Sequence, residues 1–441
     1  MGKYEELRLK HPLFIYHSFT LADDAVEFHF QMDKYHFYPK WNFDKSISHG
    51  EYSRSAAEYA AFSLGMAELV SYWKTACPPN VEIRCGTLNK EQITWWKKLY
   101  FNGLGEFFYR NGITSDFASF MTITANSEPL TYKNDFPLSG ALVPVGGGKD
   151  SVVSLELLRS AGEEITPYII NALPSAVNCA LASGASKENI IAPKRTLDPT
   201  MLSLNKQGYL NGHTPFSAIV AFSSLLFAIL TNKKYIVLSN ESSANETYVQ
   251  GAEINHQYSK STEFERDFRE YCGKYFSGCA EYFSLLRPLS EWQIAREFVK
   301  YPQYFSVFRS CNLGSKENKW CCNCAKCLYV YILLAAFLDD NVLEEMFGEN
   351  LLLREDMIPI LDGLMFDDID KPFECVGTKN EVRLSLKMAS QRRIKALPVL
   401  LSHFNEKLGN CNIRSSENFF DTDNFVPQQF ETYVKKVAYG Y

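Results

Sequence analysis

Three consecutive glycines, Gly146, Gly147 and Gly148, constrain this chain more than any other feature. A short apolar run, Ala141 to Val145, leads into them. Lys149, Asp150 and Ser151 follow, and then an apolar helical pattern through Leu158. Strand, glycine loop and helix together make an anion-binding turn. Glycine lets backbone N–H groups approach an anion closely, and the positive end of the new helix favours negative charge. The loop is not a Walker A motif, because G-x-x-x-x-G-K-[ST] is absent. It is not G-x-G-x-x-G either, since Ser151 stands where the last glycine would fall.

Around this turn the pattern is strand and helix in alternation from 138 to about 330. Strands are expected at 141–145, 166–171, 189–193 and 234–239, and helices at 151–161, 175–184, 214–231 and 262–276. Such alternation implies βαβ units and a parallel sheet covered on both faces, with ligands at the carboxyl ends of the strands. The loop after Val145 lies at one such end, and Ser239-Asn240-Glu241-Ser242-Ser243 at another. Residues 1–135 read as a separate α+β domain. Val26 to Phe30 alternate as in a hairpin strand, Ser55 to Trp73 carry apolar residues at helical spacing, and Gln92 to Tyr109 form a helix interrupted near Gly103 and Gly105. Residues 331–441 are expected to be mostly helical, with loops at 371–381 and 409–425.

Composition narrows the class. The 441 residues are 46% hydrophobic and 22% charged, which is globular. A net charge of −6 argues against a nucleic-acid binder driven by phosphate neutralisation. The opening MGKYEELRLKHP lacks the apolar core of a signal peptide. The most apolar run, Phe216 to Leu230, is too short for a membrane span and reads as a buried helix. The expectation is a cytoplasmic enzyme bound neither to membrane nor to nucleic acid, in which twelve cysteines suggest metal or catalysis before disulfides.

Cys311, Cys321, Cys324 and Cys327 are spaced for a closed tetrahedral zinc site, with Cys322 extra. Whether Cys321 or Cys322 is the ligand stays open. An apolar helix follows the last cysteine, so the knuckle would cap a helix N-terminus, which stabilises thiolates. The polar run Asn255-His256-Gln257-Tyr258-Ser259-Lys260-Ser261 reads as a loop lining a polar site. His256 and Lys260 could donate to a carboxylate or to phosphates, and Tyr258 could orient a carboxylate. Glu106 and Arg110, four apart on one helix face, read as a surface ion pair. His213 reads as a helix-entry histidine satisfied by backbone before Thr214-Pro215.

The order G-G-x-D-S resembles the pyrophosphate loop (PP-loop) of ATP pyrophosphatases, with Gly146 where that pattern usually has Ser. The cysteine run resembles the zinc knuckle of the 7-cyano-7-deazaguanine synthases. Six segments in this order resemble the UDP-N-acetylmuramoyl-L-alanyl-L-glutamate epimerase family, MurL. They are LYFNGLGEFFYRNGI (99–113), VPVGGGKDS (143–151), NGHTPFSA (211–218), NHQYSKS (255–261), WCCNCAKC (320–327) and PFECVGT (372–378).

The resemblance implies an α/β fold: a parallel-sheet PP-loop core with a zinc knuckle at 136–330, the α+β domain before it, and a helical region after it that completes the active site. It implies ATP-dependent inversion of the terminal glutamate of a UDP-N-acetylmuramoyl dipeptide in peptidoglycan precursor synthesis, with AMP and pyrophosphate as products. ATP, Mg²⁺ and structural Zn²⁺ are the implied cofactors. Gly146, Gly147, Gly148, Lys149, Asp150 and Ser151 would hold the triphosphate, with Asp150 on Mg²⁺ and Glu241 a second metal candidate. Asn255, His256, Tyr258, Lys260 and Arg309 are the implied substrate contacts, and Lys326 a further cation. Cys375, His256 and Lys260 are candidates for proton transfer, although Cys375 also reads as an ordinary buried thiol; Glu374 beside it could hold metal or a proton. An amide or nitrile synthase of the PP-loop class, a transfer-RNA-modifying PP-loop enzyme, or a nucleotide sensor would share parts of this pattern. The flanking regions, the acidic net charge and the knuckle respectively count against them.

Overall fold

The computed structural model describes residues 2–245, 258–311, 313–314, 317–372, 374, 376–393, 396–409 and 411–440. They form an α/β protein with eleven strands. These are β1 Leu13–Leu21, β2 Ala25–Met32, β3 Tyr35–Phe37, β4 Lys40–Asn42, β5 Asn80–Ile83, β6 Thr122–Thr124, β7 Ser139–Pro144, β8 Ile165–Tyr168, β9 Lys194–Thr196, β10 Lys233–Leu238 and β11 Glu281–Ser284. The chain divides into two compact units that do not follow it consecutively. The first takes Met1–Leu142, Ile191–Ile236 and Ile254–Tyr282; the second takes Val143–Ile190, Val237–Glu253 and Phe283–Tyr441.

The first unit is built on a seven-stranded mixed sheet, β6-β5-β1-β2-β4-β9, with β3 also on β2. The alternation expected in β2 buries Val26, Phe28, Phe30 and Met32. Helix Arg54–Trp73 covers that face, and every residue in it but Arg54, Ser55 and Glu58 is buried. Gly65 permits the close approach, because a Cβ there would strike the Tyr16 ring and lie 2.8 Å from Phe28. The apolar run Phe216–Leu230 is a buried helix packed on this one, as expected. The interrupted helix resolves into Lys90–Gly103 and Gly105–Arg110, the first opened by an Asn89/Gln92 capping box.

One expected strand is corrected. Residues 189–193 form no strand beyond a single bridge residue, Ile191; β9 begins at Lys194 and runs antiparallel to β4 in the first unit's sheet. Pro193 has no N–H to give a ladder. Arg195 is drawn in by Glu68, a fully buried carboxylate that accepts Arg195 Nε at 2.6 Å, Arg195 Nη2 at 2.7 Å and Trp41 Nε1 at 2.9 Å. Burying that charge demands a partner, and the strand's register follows from the pair.

The second sheet runs β11-β10-β7-β8, with β7 and β10 parallel. The expected helices are found at Lys149–Ser160, Pro174–Ala182 and Thr262–Tyr275. In the second unit a fully buried helix, Ala325–Ala335, is the hub. Helices Glu291–Phe298, Asp340–Phe347, Ile358–Met365 and Lys379–Arg392 pack around it, so the C-terminal region is helical as expected. No helix among the described residues is long and apolar enough to cross a membrane.

Candidate functional site

The glycine loop has the geometry its sequence demands. Gly147 adopts φ +84°, and a Cβ there would lie 2.6 Å from Ser175 Oγ and 2.7 Å from the Ala176 backbone nitrogen. Only glycine fits both the conformation and the space. A Cβ on Gly146 would meet nothing within 4 Å, so this side of the loop is open. Gly148 is the N-cap of helix Lys149–Ser160 and gives it no side-chain cap. First-turn N–H groups therefore have no side-chain acceptor at the cap, as a bound anion would require. Ser151 Oγ donates back to the Gly148 carbonyl at 2.9 Å.

Arg309 lies against this loop. Its backbone N–H donates to the Gly147 carbonyl at 2.7 Å, and its guanidinium donates to the Phe308 and Ser306 carbonyls at 2.6 and 3.1 Å. Arg309 Nε and Ser310 Oγ are buried atoms without a hydrogen-bond partner among the described residues. A Cβ on Gly148 would touch Ser310 Cβ at 3.2 Å. Buried donors left unmatched are costly and call for a partner such as a water, an ion or a ligand.

Lys149 turns inward. Its ammonium is 2% exposed and contacts both Asp150 and Glu291. Burial alone would depress its pKa, but the two carboxylates outweigh it and hold Lys149 above the ordinary lysine value. Glu291 is pushed up by burial and by the nearby charges of Asp150 and Glu241, against the pull of Lys149 and Lys326. Glu241 accepts from Ser243 Oγ at 3.1 Å, and its carbonyl accepts from Arg287 Nη1 at 2.7 Å. Ser239 Oγ donates to Ser154 Oγ at 2.8 Å, which ties this strand end to the loop helix. Tyr329 completes the cluster: burial and the carboxylates of Glu291, Glu381, Glu241 and Asp150 keep its hydroxyl protonated. That hydroxyl has no hydrogen-bond partner among the described residues.

The cysteine quartet is assembled. The sulfurs of Cys311, Cys321, Cys324 and Cys327 all lie within 4.8 Å of one another. Three of the separations are 4.0 Å (Cys311–Cys324), 3.7 Å (Cys321–Cys327) and 3.6 Å (Cys324–Cys327). Tetrahedral zinc–thiolate bonds of about 2.3 Å place sulfurs about 3.8 Å apart, so the set fits zinc. Backbone N–H groups of Gly314, Asn323 and Cys327 point at the sulfurs of Cys311, Cys321 and Cys324. The choice left open by spacing is decided by backbone conformation. Cys322 takes φ +55° and its thiol donates to the Phe347 carbonyl at 3.4 Å, so Cys321 supplies the sulfur. The knuckle does sit at a helix start, but helix Ala325–Ala335 begins before the last cysteine and not after it as expected: Cys324 is its N-cap and Cys327 lies in its first turn. Glu374 accepts from the Lys326 backbone at 2.8 Å.

In the first unit, Tyr258 and Lys260 belong to a short turn, Tyr258–Lys260. The buried Tyr258 hydroxyl donates to Asp267 at 3.2 Å, and Asp267 also pairs with Lys98 at 2.6 Å. Glu106 pairs with Arg110 at 2.5 Å, but the Glu106 carboxylate is buried and not on the surface as expected, and His213, expected to be satisfied by backbone, lies 3.6 Å from the same carboxylate. Asn255, His256 and Cys375 lie outside the described residues.

Sequence reasoning missed Glu291, Tyr329 and Glu381. Two carry a readable signal, because Ser290-x-x-Gln293 and Thr378-x-x-Glu381 are capping boxes and both form. Nothing in the sequence says that Glu291 meets Lys149, 142 positions away.

The family described as the MurL N-terminal domain matches residues 6–285, and the MurL C-terminal domain matches 305–418. Three relatives carry the name UDP-N-acetyl-alpha-D-muramoyl-L-alanyl-L-glutamate epimerase. The protein of Xanthomonas oryzae pv. oryzae is 36% identical over 355 residues, covering 78% of this chain and 77% of its own. That of Micromonospora sp. is 37% identical over 339 residues, covering 75% of each. That of Salinispora tropica is 35% identical over 335 residues, covering 73% of this chain and 71% of its own.

Proposed function

The chain belongs to the MurL epimerase family, and from that premise we propose that it inverts the terminal L-glutamate of UDP-N-acetylmuramoyl-L-alanyl-L-glutamate in peptidoglycan precursor synthesis. The observation that carries this is the family match over both parts of the chain, joined to relatives of that name along three quarters of it. It is an isomerase acting on a nucleotide-linked dipeptide. Its work belongs in the cytoplasm, with no membrane or nucleic-acid partner.

The finer reading is chemical. The α-proton of a free carboxylate is hard to remove, because the resulting dianion is poorly stabilised. Transfer of an adenylyl group from ATP to the α-carboxylate expels pyrophosphate and leaves a mixed anhydride. The enolate formed on deprotonation then carries one developing charge, which positioned donors can stabilise. A base removes the proton, an acid returns it on the opposite face, and hydrolysis yields the D-acid and AMP.

The glycine loop supports this reading as a PP-loop. Gly146 offers open backbone, the cap of helix Lys149–Ser160 has no side-chain acceptor, and the unmatched Arg309 Nε and Ser310 Oγ suit phosphate oxygens. When bound, Mg²⁺ would shield the triphosphate charge. Asp150 and Glu241 are the carboxylates we assign to it. Zinc at the quartet would fix the start of helix Ala325–Ala335, and with it Lys326 and Tyr329. We assign substrate contacts to Asn255, His256, Tyr258, Lys260 and Arg309, and proton transfer to Cys375 with His256 and Lys260 as alternates. The functional partition that goes with this is 1–135, 136–330 and 331–441, the last completing the site.

The test is incubation with the UDP-muramoyl dipeptide, ATP and Mg²⁺, followed by acid hydrolysis and chiral analysis of glutamate. D-glutamate that forms only when ATP is present supports the reading. Retention of the L-form with active substrate and nucleotide present overturns it.

A further inference from the structure

One ammonium and two carboxylates meet at the start of the loop helix. The carboxylates differ in how they are held. Asp150 follows Lys149 in the chain and its side chain is 27% exposed, whereas Glu291 is 3% exposed. Glu291 opens helix Glu291–Phe298, whose first turn is fixed by reciprocal bonds between Ser290 and Gln293 at 3.2 and 2.9 Å. On its other side stands Gly377. A Cβ there would strike the Tyr329 hydroxyl and lie 3.1 Å from Glu291 Cγ and 2.8 Å from Glu381 Oε2. Glu381 is itself locked, accepting both the N–H and the hydroxyl of Thr378 at 2.8 Å. Glu291 is therefore a fixed carboxylate and Asp150 a more exposed one.

We infer that Glu291 is a positioning residue of the nucleotide site: it anchors the Lys149 ammonium so that the Asp150 carboxylate can leave it for a divalent cation on the triphosphate. This rests on the reading of the glycine loop as the ATP cradle. A buried ammonium must keep a counter-charge. When Asp150 turns away to a cation, its charge no longer helps to raise Glu291, whose ionised form the contacting Lys149 ammonium favours, so Lys149 stays compensated. Without Glu291, Asp150 becomes the remaining anion in contact with Lys149, and a metal must break a poorly solvated ion pair to recruit it. Gly377 and Tyr329 form the wall that keeps Glu291 from swinging off Lys149.

The experiment compares calorimetric binding of Mn²⁺·ATP and of metal-free ATP to the full-length, zinc-loaded protein. Glu291→Gln keeps size and hydrogen bonding but removes the charge. It should weaken Mn²⁺·ATP binding about tenfold, a difference of about 1.4 kcal/mol, and change metal-free ATP binding less than twofold. In an Asp150→Asn background the same change should add nothing to the metal dependence, because the carboxylate that Glu291 releases is gone. Glu291→Asp, which keeps the charge, should retain most of the wild-type preference and serves if the glutamine variant fails to fold. Equal losses for both ligands, or an undiminished effect in the Asp150→Asn background, would make Glu291 merely structural and overturn the inference. Wild-type protein that binds neither ligand would instead overturn the reading of the loop, and this inference with it.

Discussion

Gly147→Ala should disable the loop while Gly146→Ala leaves the fold intact. At Gly147 an alanine must adopt φ +84°, which costs a non-glycine residue about 1–2 kcal/mol. Its Cβ would also lie 2.7 Å from the Ala176 nitrogen and 2.9 Å from the Ser175 carbonyl carbon. Both are backbone atoms at the start of helix Pro174–Ala182 and cannot rotate away. Overpacking of this kind adds about 1–3 kcal/mol. The sum, about 2–5 kcal/mol, is a large share of the stability of an ordinary domain. In a unit of this size each kcal/mol moves the unfolding temperature by about 2–4 °C, so a drop of about 4–20 °C is expected. At Gly146 a Cβ meets nothing within 4 Å, and unfolding should shift by less than about 2 °C. Thermal unfolding by circular dichroism, with substrate-dependent pyrophosphate release measured alongside, checks both. A Gly147→Ala protein that unfolds with wild type and releases pyrophosphate normally would refute the claim that this glycine is conformationally required.

Purified protein should carry one zinc per chain; Cys324→Ser should lose it and Cys322→Ser should keep it, read by metal analysis under reducing conditions, and zinc retained by Cys324→Ser would count against the quartet. Asp150→Asn should abolish pyrophosphate release, and normal release would remove Asp150 from the site. Cys375→Ala in heavy water should still form AMP and pyrophosphate from the L-glutamyl substrate yet incorporate little deuterium at the α-carbon. Full incorporation with unchanged inversion would make Cys375 structural and pass the role to His256 or Lys260.

How much of this was legible follows from the range over which each signal acts. Helix Arg54–Trp73 could be read because its apolar spacing is local, and β7 with its glycines because strand, turn and cap are contiguous. The cysteine quartet could be read from spacing, but not which of two adjacent thiols joins it. That depends on the left-handed turn at Cys322 and on a carbonyl at Phe347, 25 residues on. Strand β9 was misplaced because its partner β4 lies about 150 residues earlier, and the Glu68–Arg195 pair that sets it is a tertiary contact. Glu291 escaped for the same reason. Its capping box announces a helix start, whereas its contact with Lys149 exists only once helices Lys149–Ser160 and Glu291–Phe298 have packed.

Inversion through adenylation of the α-carboxylate can be traced with substrate carrying oxygen-18 in that carboxylate. AMP should acquire one labelled oxygen for each glutamate inverted, because hydrolysis at the acyl carbon leaves the bridging oxygen on phosphorus. D-glutamate formed without ATP, or formed while AMP stays unlabelled, would contradict it.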